Sequence, residues 1–366
     1  MALQLDFGPE PPEPMIQPGQ TSMNHQWPTA DDGLLWDLHL SGVVLPSITA
    51  ADTAGVFDEL AKAPGSTTEL AGRMQLNERA VRALLPVLAS SGLLAQRGGR
   101  YHLTEVASNY LLSTSPYYWG PILSLVRRAP ISHEAVTAAL KAPESAVRWN
   151  ATSADNPTNA WSEGQITPEL AANIAAYMHA NSLSAARVAA ANANLNSARR
   201  LLDVGGGSGC FSIAFAREYP HLRCTIMDLQ GMCDVAIRYV RDGGVADRVD
   251  THALDMFRQS WPTGYDSVFL SNIFHDWDIE TCVWLASKAF AALPPGGRIL
   301  VHEMLLDDTG DGPSTTVAFS LYMLLATKGQ QFTAGQLTAI LNRAGFTNIA
   351  VTPSHHHYAI VAARKP

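Results

Sequence analysis

The sequence predicts an α/β protein with a doubly wound C-terminal sheet whose last strand is antiparallel, preceded by a mostly helical N-terminal domain. A chain of 366 residues exceeds the size at which a single hydrophobic core stops growing, which favours two domains. Apolar residues follow helical spacing up to about residue 112, whereas β-prone runs alternate with amphipathic helices after residue 198. The last two β-prone runs are only three residues apart, too few for a helical crossover.

The N-terminal region divides by composition. Residues 1–30 are rich in Pro, Gln and Gly and poor in large apolar residues, so they are expected to form a flexible tail with order beginning near Asp31. We assign residues 31–165 to the helical domain with its connecting helices, and residues 166–366 to the α/β domain.

Residues 91–104 contain two short β-prone runs around Gly98 and Gly99, which predicts a hairpin like the wing of a winged-helix unit. Thr104 is expected to cap the next helix, although Ala107 stands where a capping box needs an acid. A winged helix is also found in DNA-binding regulators, which is the alternative from another class of function.

The helix predicted at 77–88 argues against DNA binding. It carries two arginines, one acid and a mostly apolar surface, whereas phosphate contact and base readout need several exposed basic or amide groups. Its apolar face is instead expected to pack on another subunit.

Strands of the C-terminal domain are predicted where β-branched and apolar residues cluster. The predicted strands are 199–205, 223–229, 248–255, 267–272, 297–305, 346–352 and 356–363.

Charge and cysteine usage restrict the class of partner. A formal charge of −8 and a pI near 5.8 argue against nucleic acid and suit a small neutral or cationic ligand. The four cysteines show no CxxC spacing, which indicates reduced thiols and a cytoplasmic protein: Cys210, Cys224, Cys233 and Cys282. No signal peptide and no stretch of about 18 apolar residues are evident, so no membrane partner is expected.

A glycine-rich turn follows the first strand of the α/β domain, reading Leu-Asp-Val-Gly-Gly-Gly-Ser-Gly at 202–209. Such glycines let the backbone turn tightly and approach a ligand where a Cβ would obstruct it. Gly205 and Gly207 are followed by Cys210 where the dinucleotide motif GxGxxG needs its third glycine, so the spacing is GxGxG. A tight turn without a ligand and an NAD-dependent dehydrogenase are the alternatives.

Acids at the next strand ends complete a nucleoside site. Asp228 lies 23 residues after Gly205 and is placed to accept both ribose hydroxyls. Asp255 is placed to accept the exocyclic amine of an adenine stacked on Met256 or Phe257, unless it caps the following turn. Three further residues at these strand ends join the predicted cofactor site: Asp203, Leu229 and Ser271.

The sequence resembles the family of small-molecule O-methyltransferases that includes plant phenolic enzymes, acetylserotonin methyltransferase and bacterial polyketide or phenazine methyltransferases. The motifs that carry the resemblance lie at 202–209, 254–257, 272–277, 295–303 and 344–346. The resemblance implies a Rossmann-like methyltransferase domain, S-adenosylmethionine as cofactor and direct transfer. It also implies a winged-helix-like dimerisation domain that lends helices to the partner's active site, and hence a homodimer.

His275 is the candidate base. It follows the fourth strand at the cofactor edge, and imidazole titrates near pH ~6.5, within reach of physiological conditions. A surface histidine capping the helix near Asp278 is the alternative, but the resembling family has its catalytic histidine in this motif. Glu303 ends the next strand and in that family orients the histidine, and Asp276 is the second candidate for this role.

The chain departs from the family pattern at two points. Many members carry a second orienting acid in a Gly-Gly-x-Glu-Arg-Thr segment, whereas residues 328–333 place Gln331 there, which cannot take up charge. His302 replaces the usual apolar residue before Glu303, and strand alternation is expected to turn it to the other face. Both changes bear on whether the acceptor is a phenol.

Carbon methylation of an enolisable acid or ring, with or without the help of a metal, is the runner-up. Imidazole and carboxylate groups that could serve as ligands include His252, His302, Asp276 and the run 355–357. No compact ligand motif appears, so no metal is expected.

The pocket wall is predicted from aromatic and apolar residues that suit a large, flat, partly apolar substrate, although each could equally belong to the core. They are Trp119, Trp149, Trp161, Tyr177, Met178, His179, Phe319 and Met323.

Overall fold

The computed structural model describes residues 28–141 and 166–366, and the chain separates into two compact units, Met1–Leu45 and Pro46–Pro366. The described part of the first unit contains α1 (Gly33–Ser41) and the start of α2 (Val44–Ala54). The N–H of Gly33 donates to Asp31 Oδ1 at 2.9 Å, so the first helix begins close to the predicted start of order. Most of the predicted flexible tail lies outside the described residues.

The helices α1 and α2 expose many large apolar side chains. The residues Leu34, Leu35, Trp36, Leu38 and Leu40 are each more than half exposed. The segment Gly33–Ala54, with a mean hydropathy of 1.3, is long and apolar enough to cross a membrane by length and composition. Asp37 and His39 interrupt its apolar residues, so the segment is a candidate by its mean hydropathy and not by an unbroken run of about 18 apolar residues.

The remaining helices of the N-terminal region surround a small core. They are α3 (Val56–Lys62), α4 (Thr67–Met74), α5 (Glu78–Ser90) and α6 (Glu105–Tyr110), with the strands β1 (Leu94–Arg97) and β2 (Arg100–Leu103). The predicted hairpin is confirmed: β1 and β2 pair antiparallel, and Gly98 and Gly99 take the positive φ angles that the turn requires. Thr104 Oγ1 accepts the N–H of Ala107, as predicted for the cap.

The apolar face of α5 is buried within its own chain and is not left exposed for packing on another subunit. Val81, Leu85 and Leu88 are at most 3% exposed and pack against Phe57 and Leu70 of the same chain. That part of the sequence-based interpretation was wrong, because the three preceding helices already cover this face.

Three helices lead into the C-terminal domain: α7 (Gly120–Arg128), α8 (His133–Lys141) and α9 (Pro168–Asn192). The long helix α9 presents alanines to the next helix of the chain, α10 (Cys210–Glu218). Ala185, Ala186 and Ala189 are almost fully buried beside Phe211. Small side chains let the two helices pack closely, which brings α9 next to the glycine turn.

The C-terminal strands form one mixed sheet with helices between them. The strands are β3 (Arg200–Val204), β4 (Arg223–Asp228), β5 (Val249–Ala253), β6 (Ser267–Ser271), β7 (Arg298–Leu306), β8 (Phe332–Thr333), β9 (Thr347–Pro353) and β10 (Tyr358–Arg364). The other helices are α11 (Gln230–Asp242), α12 (Ile279–Ala292), α13 (Ser314–Ala326) and α14 (Ala334–Arg343).

The strand order is β5-β4-β3-β6-β7-β10-β9, and β8 pairs separately with β7. The five neighbouring strands β5, β4, β3, β6 and β7 run parallel to one another, and β10 is antiparallel to both of its neighbours. This confirms the predicted α/β fold with its antiparallel last strand. The short strand β8 was not predicted.

Alternating side chains of the sheet enter two separate cores. Leu202 and Val301 pack on one face with residues of α12 and α14, whereas Leu201, Phe269 and Ile360 pack on the other with α9, α10 and α11. Because helices cover both faces, a ligand reaches the sheet at the carboxyl ends of the parallel strands.

Candidate active site

A cavity of about 1110 Å³ opens at the carboxyl edge of the sheet, between the strand ends and the helices α7, α9 and α13. Most of the residues predicted for the site line it. They are Asp203, Gly205, Gly207, Asp228, Leu229, Asp255, Met256, Ser271, His275, Asp276, Tyr177, Met178, Phe319 and Met323.

The glycine turn forms the floor of this cavity. Gly205 has a φ of +65°, and a Cβ there would overlap Ile273 Cδ1. Gly207 has a φ of +57°, and the nearest atom to an added Cβ is Met178 Sδ at 3.6 Å. The backbone of Gly207 is therefore accessible to a ligand from the side that faces the cavity.

One carboxylate holds the glycine turn and another holds the helix that follows it. Asp228 Oδ2 accepts the N–H of Gly207 at 2.9 Å, and its Oδ1 accepts the N–H of Leu229 at 2.7 Å. Burial raises the pKa of Asp228 to about 6 despite these hydrogen bonds. Asp203 accepts the hydroxyl of Ser212 at 2.7 Å, and burial raises its pKa to about 7.

Asp255 caps the turn after β5, which was the alternative interpretation of this residue. Its Oδ1 accepts the N–H groups of Phe257 and Arg258, and its Oδ2 lies 3.0 Å from Arg258 Nη1. It also lines the cavity beside Met256, so the cap and the predicted adenine contact are compatible.

His275 lies in a short 3₁₀ turn, Phe274–Asp276, and is 5% exposed. Its Nδ1 is 3.0 Å from Glu303 Oε2, and its Nε2 is 3.7 Å from Asp276 Oδ1. The surface-cap alternative is wrong, because Asp278 itself caps α12 by accepting the N–H of Thr281.

The charge state of His275 reflects two opposing effects. Burial disfavours the imidazolium, but attraction to Glu303 and then to Asp276 outweighs it and raises the pKa of His275 to about 9. Burial also raises the pKa of Asp276, to about 7.

Glu303 is fully buried beneath His275 and fixes the backbone of the histidine turn. Its Oε1 accepts the N–H groups of Ile273 and Phe274 at 3.0 and 2.9 Å. One carboxylate therefore holds both the backbone and the imidazole of this segment.

Gln331 is a site residue that sequence reasoning did not place in contact with the histidine. It is 1% exposed, and its Nε2 lies 3.1 Å from His275 Nδ1. The segment carrying it packs directly on the histidine turn, since a Cβ on Gly329 would overlap His275 O and the N–H of Lys328 donates to Asp276 O. The departure from the family motif at Gln331 was the signal that could have identified it.

His302 turns to the opposite face of β7 from Glu303, as strand alternation predicted. Its Nδ1 is 2.8 Å from Ser271 Oγ, and its ring stacks on Tyr358 with centroids 4.7 Å apart. Burial lowers the pKa of His302 to about 3, which keeps it neutral.

Two residues predicted for the pocket wall do not line the cavity. Trp119 is 42% exposed and packs edge-on against Tyr110 at the start of α7. His179 stacks on Tyr239 and lies 3.0 Å from Ser208 Oγ, because one step along a helix turns a side chain about 100° away from its neighbour Met178. The predicted wall residues Trp149 and Trp161 lie outside the described residues.

The cavity wall also contains polar residues that composition did not single out, including Arg128, Asn181 and Tyr322. Helical spacing along α7, α9 and α13 was the available signal for them. Within residues 28–141 and 166–366, no group of three or more His, Cys, Asp or Glu side chains is arranged to hold a metal ion.

Comparison with known proteins identifies the family. The model of the O-methyltransferase domain matches residues 136–347, and the model of the O-methyltransferase dimerisation domain matches residues 36–113. The chain is 35% identical to 3-hydroxy-5-methyl-1-naphthoate 3-O-methyltransferase of Streptomyces sahachiroi over 86% of this chain and 90% of that protein. It is 30% identical to acetylserotonin O-methyltransferase of Mus musculus molossinus over 84% of this chain and 82% of that protein.

A solved structure agrees with this assignment. Human N-acetylserotonin methyltransferase in complex with S-adenosylmethionine matches with a TM-score of 0.79 at 25% identity, over 93% of this chain and 99% of that chain. The chain belongs to the O-methyltransferase family. It is an S-adenosylmethionine-dependent O-methyltransferase with a dimerisation domain.

The residues at the glycine turn fit this cofactor. Gly207 leaves its backbone bare toward the cavity, and the Asp228 carboxylate beside it keeps lone pairs beyond the two backbone N–H groups it accepts. A nucleoside needs these two features, a close backbone and an acceptor for its ribose hydroxyls.

Proposed function

We propose that the enzyme methylates a hydroxyl of a small aromatic natural product, with His275 as the base that takes the hydroxyl proton. The observation that carries the proposal is the 3.0 Å contact between His275 Nδ1 and Glu303 Oε2 at the wall of the cofactor cavity. This contact holds Nδ1 against a buried carboxylate and leaves Nε2 as the nitrogen that accepts the proton.

The chemistry needs alignment and proton removal. When bound at the strand-end residues, S-adenosylmethionine would supply an electrophilic methyl group for in-line displacement by the acceptor oxygen, with the S–CH3 bond broken and S-adenosylhomocysteine as the leaving group. His275 receives the proton of that oxygen, and Glu303 stabilises the resulting imidazolium. Phe319 packs edge-on against the imidazole with centroids 5.5 Å apart, which limits its rotation.

We assign the cofactor to the strand-end residues. Asp228 accepts the ribose hydroxyls, while Asp255 and Met256 contact the adenine. The remaining proposed contacts are Asp203, Gly205, Gly207, Leu229 and Ser271, all of which line the cavity.

An aromatic acceptor is supported by the aromatic and methionine side chains that line the cavity. Tyr177, Met178, Phe319 and Met323 offer flat and polarisable surfaces that stack on a ring. The relative from Streptomyces sahachiroi acts, by its name, on a hydroxynaphthoate.

We further propose a cytoplasmic homodimer with neither nucleic-acid nor membrane partners. The dimerisation domain at 36–113 and the exposed apolar side chains of α1 support the dimer. The four cysteines are free and buried, which suits a reducing compartment.

The test is mass spectrometry for the gain of one methyl group over a panel of phenols, enols and keto acids. We expect His275→Ala to lose about 10²–10⁴-fold in rate, the usual contribution of a general base. Exposed His252 on β5 provides the matched control, and His252→Ala is expected to keep full activity. Retained activity in His275→Ala, or a product methylated on carbon, would contradict the proposal.

A further inference from the structure

Among the described residues that line the cavity, Arg128 is the one Lys or Arg. The other ionisable side chains of the wall are His275, Cys210, the tyrosines Tyr177 and Tyr322, and five acids, namely Asp203, Asp228, Asp255, Asp276 and Glu169. Arg128 and the protonated His275 are the cationic side chains among the described residues of this wall, and they lie on different elements, so the guanidinium on α7 is a separate point of attraction for an anionic acceptor.

The position of Arg128 follows from the face that α7 presents. Pro121, Ser124, Leu125 and Arg128 line the cavity, and their spacing of three, four and seven residues places them on one side of the helix. The same helix packs on α9, whose Asn173, Tyr177 and Asn181 form the adjoining wall.

Arg127 and Arg128 have different surroundings. Arg127 Nη1 lies 3.2 Å from Asp52 Oδ2 and 2.9 Å from Thr53 Oγ1, so its charge is already paired. Arg128 donates from Nε to the carbonyl of Ser124 in its own helix, at 3.4 Å. In residues 28–141 and 166–366 it has no carboxylate within ion-pair distance, which leaves its terminal nitrogens available to a ligand.

We propose that Arg128 binds a carboxylate of the acceptor, so that the preferred acceptor is a hydroxylated aromatic acid and not a neutral phenol. This inference rests on the proposed function and deepens it. A guanidinium pairs with a carboxylate through two parallel N–H donors, which fixes orientation as well as charge. Arg128 on α7, Tyr177 on α9 and His275 line the same cavity, which is what an acceptor with both an acid and a hydroxyl on an aromatic ring requires. The local charge at Arg128, not the net charge of the chain, then selects the acceptor.

Binding of a matched pair of probes to the full-length enzyme loaded with S-adenosylhomocysteine tests this inference. Calorimetry compares 3-hydroxy-1-naphthoate with 3-hydroxy-1-naphthamide, which differ in charge and hardly in shape. We expect the wild-type enzyme to bind the acid at least about 10-fold more tightly, in keeping with a charge-assisted hydrogen-bonded pair. Arg128→Gln should weaken acid binding about 10- to 100-fold and leave the amide unchanged, and Arg128→Lys should retain part of the preference.

Arg187 provides the control, because it is an exposed arginine of α9 outside the cavity, and Arg187→Gln should behave as wild type. Equal affinities for acid and amide, no binding of either, or equal weakening of both by Arg128→Gln would overturn the inference. So would a loss of affinity for S-adenosylhomocysteine alone, since Arg128 would then bind the cofactor carboxylate.

Binding and turnover separate this inference from the proposed function. His275→Ala should keep the preference for the acid while losing methyl transfer. If the neutral phenol is methylated and the acid is not preferred, the inference fails and the proposed function stands. If the acid binds selectively but no hydroxyl is ever methylated, the proposed function fails and the anion site stands.

Discussion

His275 Nδ1 lies 3.0 Å from Glu303 Oε2, while Glu303 Oε1 accepts the N–H groups of Ile273 and Phe274. Glu303 therefore positions the turn that carries the histidine and also sets the histidine's charge. Because Glu303 is fully buried, its attraction to the imidazolium is screened little by solvent. Together with Asp276 it raises the pKa of His275 to about 9 against the opposing effect of burial.

The first prediction is a rate that increases with pH. The imidazole accepts a proton only in its neutral form, and a pKa of about 9 keeps it mostly protonated at pH 7. We expect kcat/KM to rise from pH 6 and level off above about 9. In Glu303→Gln the imidazolium loses its main partner, so the midpoint should move to lower pH while the plateau falls about 10²-fold or more.

A radiometric assay of methyl transfer across pH 6–10 measures both profiles. Glu280→Gln is the control, because Glu280 is an exposed residue paired with Arg343 on the surface, and its profile should match wild type. An unchanged midpoint in Glu303→Gln would show that Glu303 does not set the charge of His275.

The second prediction concerns the amide beside the histidine. Gln331→Glu would place a second carboxylate near His275 Nδ1, which is 3.1 Å from Gln331 Nε2. The pKa of His275 should rise further, so activity at pH 7 falls several-fold and recovers at higher pH.

Gln331→Leu separates charge from contact. It removes the amide without adding charge, so it should lower kcat without an upward shift of the pH midpoint. The same pH series measures both variants, and identical midpoints for Gln331→Glu and Gln331→Leu would contradict the electrostatic explanation.

The strands were predictable from sequence because buried parallel strands form apolar runs bounded by turn residues, and Asp228 marks the end of one of them. Glu303 was expected to end its strand, but β7 continues to Leu306. Gln331 was not predictable as a partner of His275, since the two are 56 positions apart and meet only because β8 pairs with β7. His179 was misplaced because residue type was weighed without the direction in which the helix turns it.

The third prediction uses two glycines with similar backbone and different surroundings. Gly207 and Gly244 have φ angles of +57° and +69°, but Gly207 faces the cavity whereas nothing lies within 4 Å of a Cβ added to Gly244. Alanine at either position should cost about 1 kcal/mol of folding free energy for the left-handed backbone. Only Gly207→Ala should weaken the binding of S-adenosylhomocysteine, by about 10-fold or more as measured by titration calorimetry. Equal affinities in the two variants would exclude close approach of the cofactor to Gly207.

The fourth prediction is a pH-dependent stability that originates at His302. Burial lowers the pKa of His302 to about 3, whereas the unfolded chain has a histidine pKa near ~6.5. Between these values the unfolded state binds the proton and the folded state does not, so the stability due to neutral His302 is complete above pH ~6.5 and is lost as the pH falls.

His302→Phe preserves the ring that stacks on Tyr358 but cannot titrate. It gives up the contacts of His302 with Ser271 and Ser354, so it should be less stable than wild type at pH 7. On going from pH 7 to pH 5, wild type should lose about 2 kcal/mol relative to the variant, since each pKa unit is worth about 1.4 kcal/mol. Urea denaturation at the two pH values measures this difference. Equal losses of stability in the two proteins would mean that folded His302 takes up a proton over this pH range, as it does in the unfolded chain. The imidazole that contacts Ser271 at 2.8 Å would then be charged.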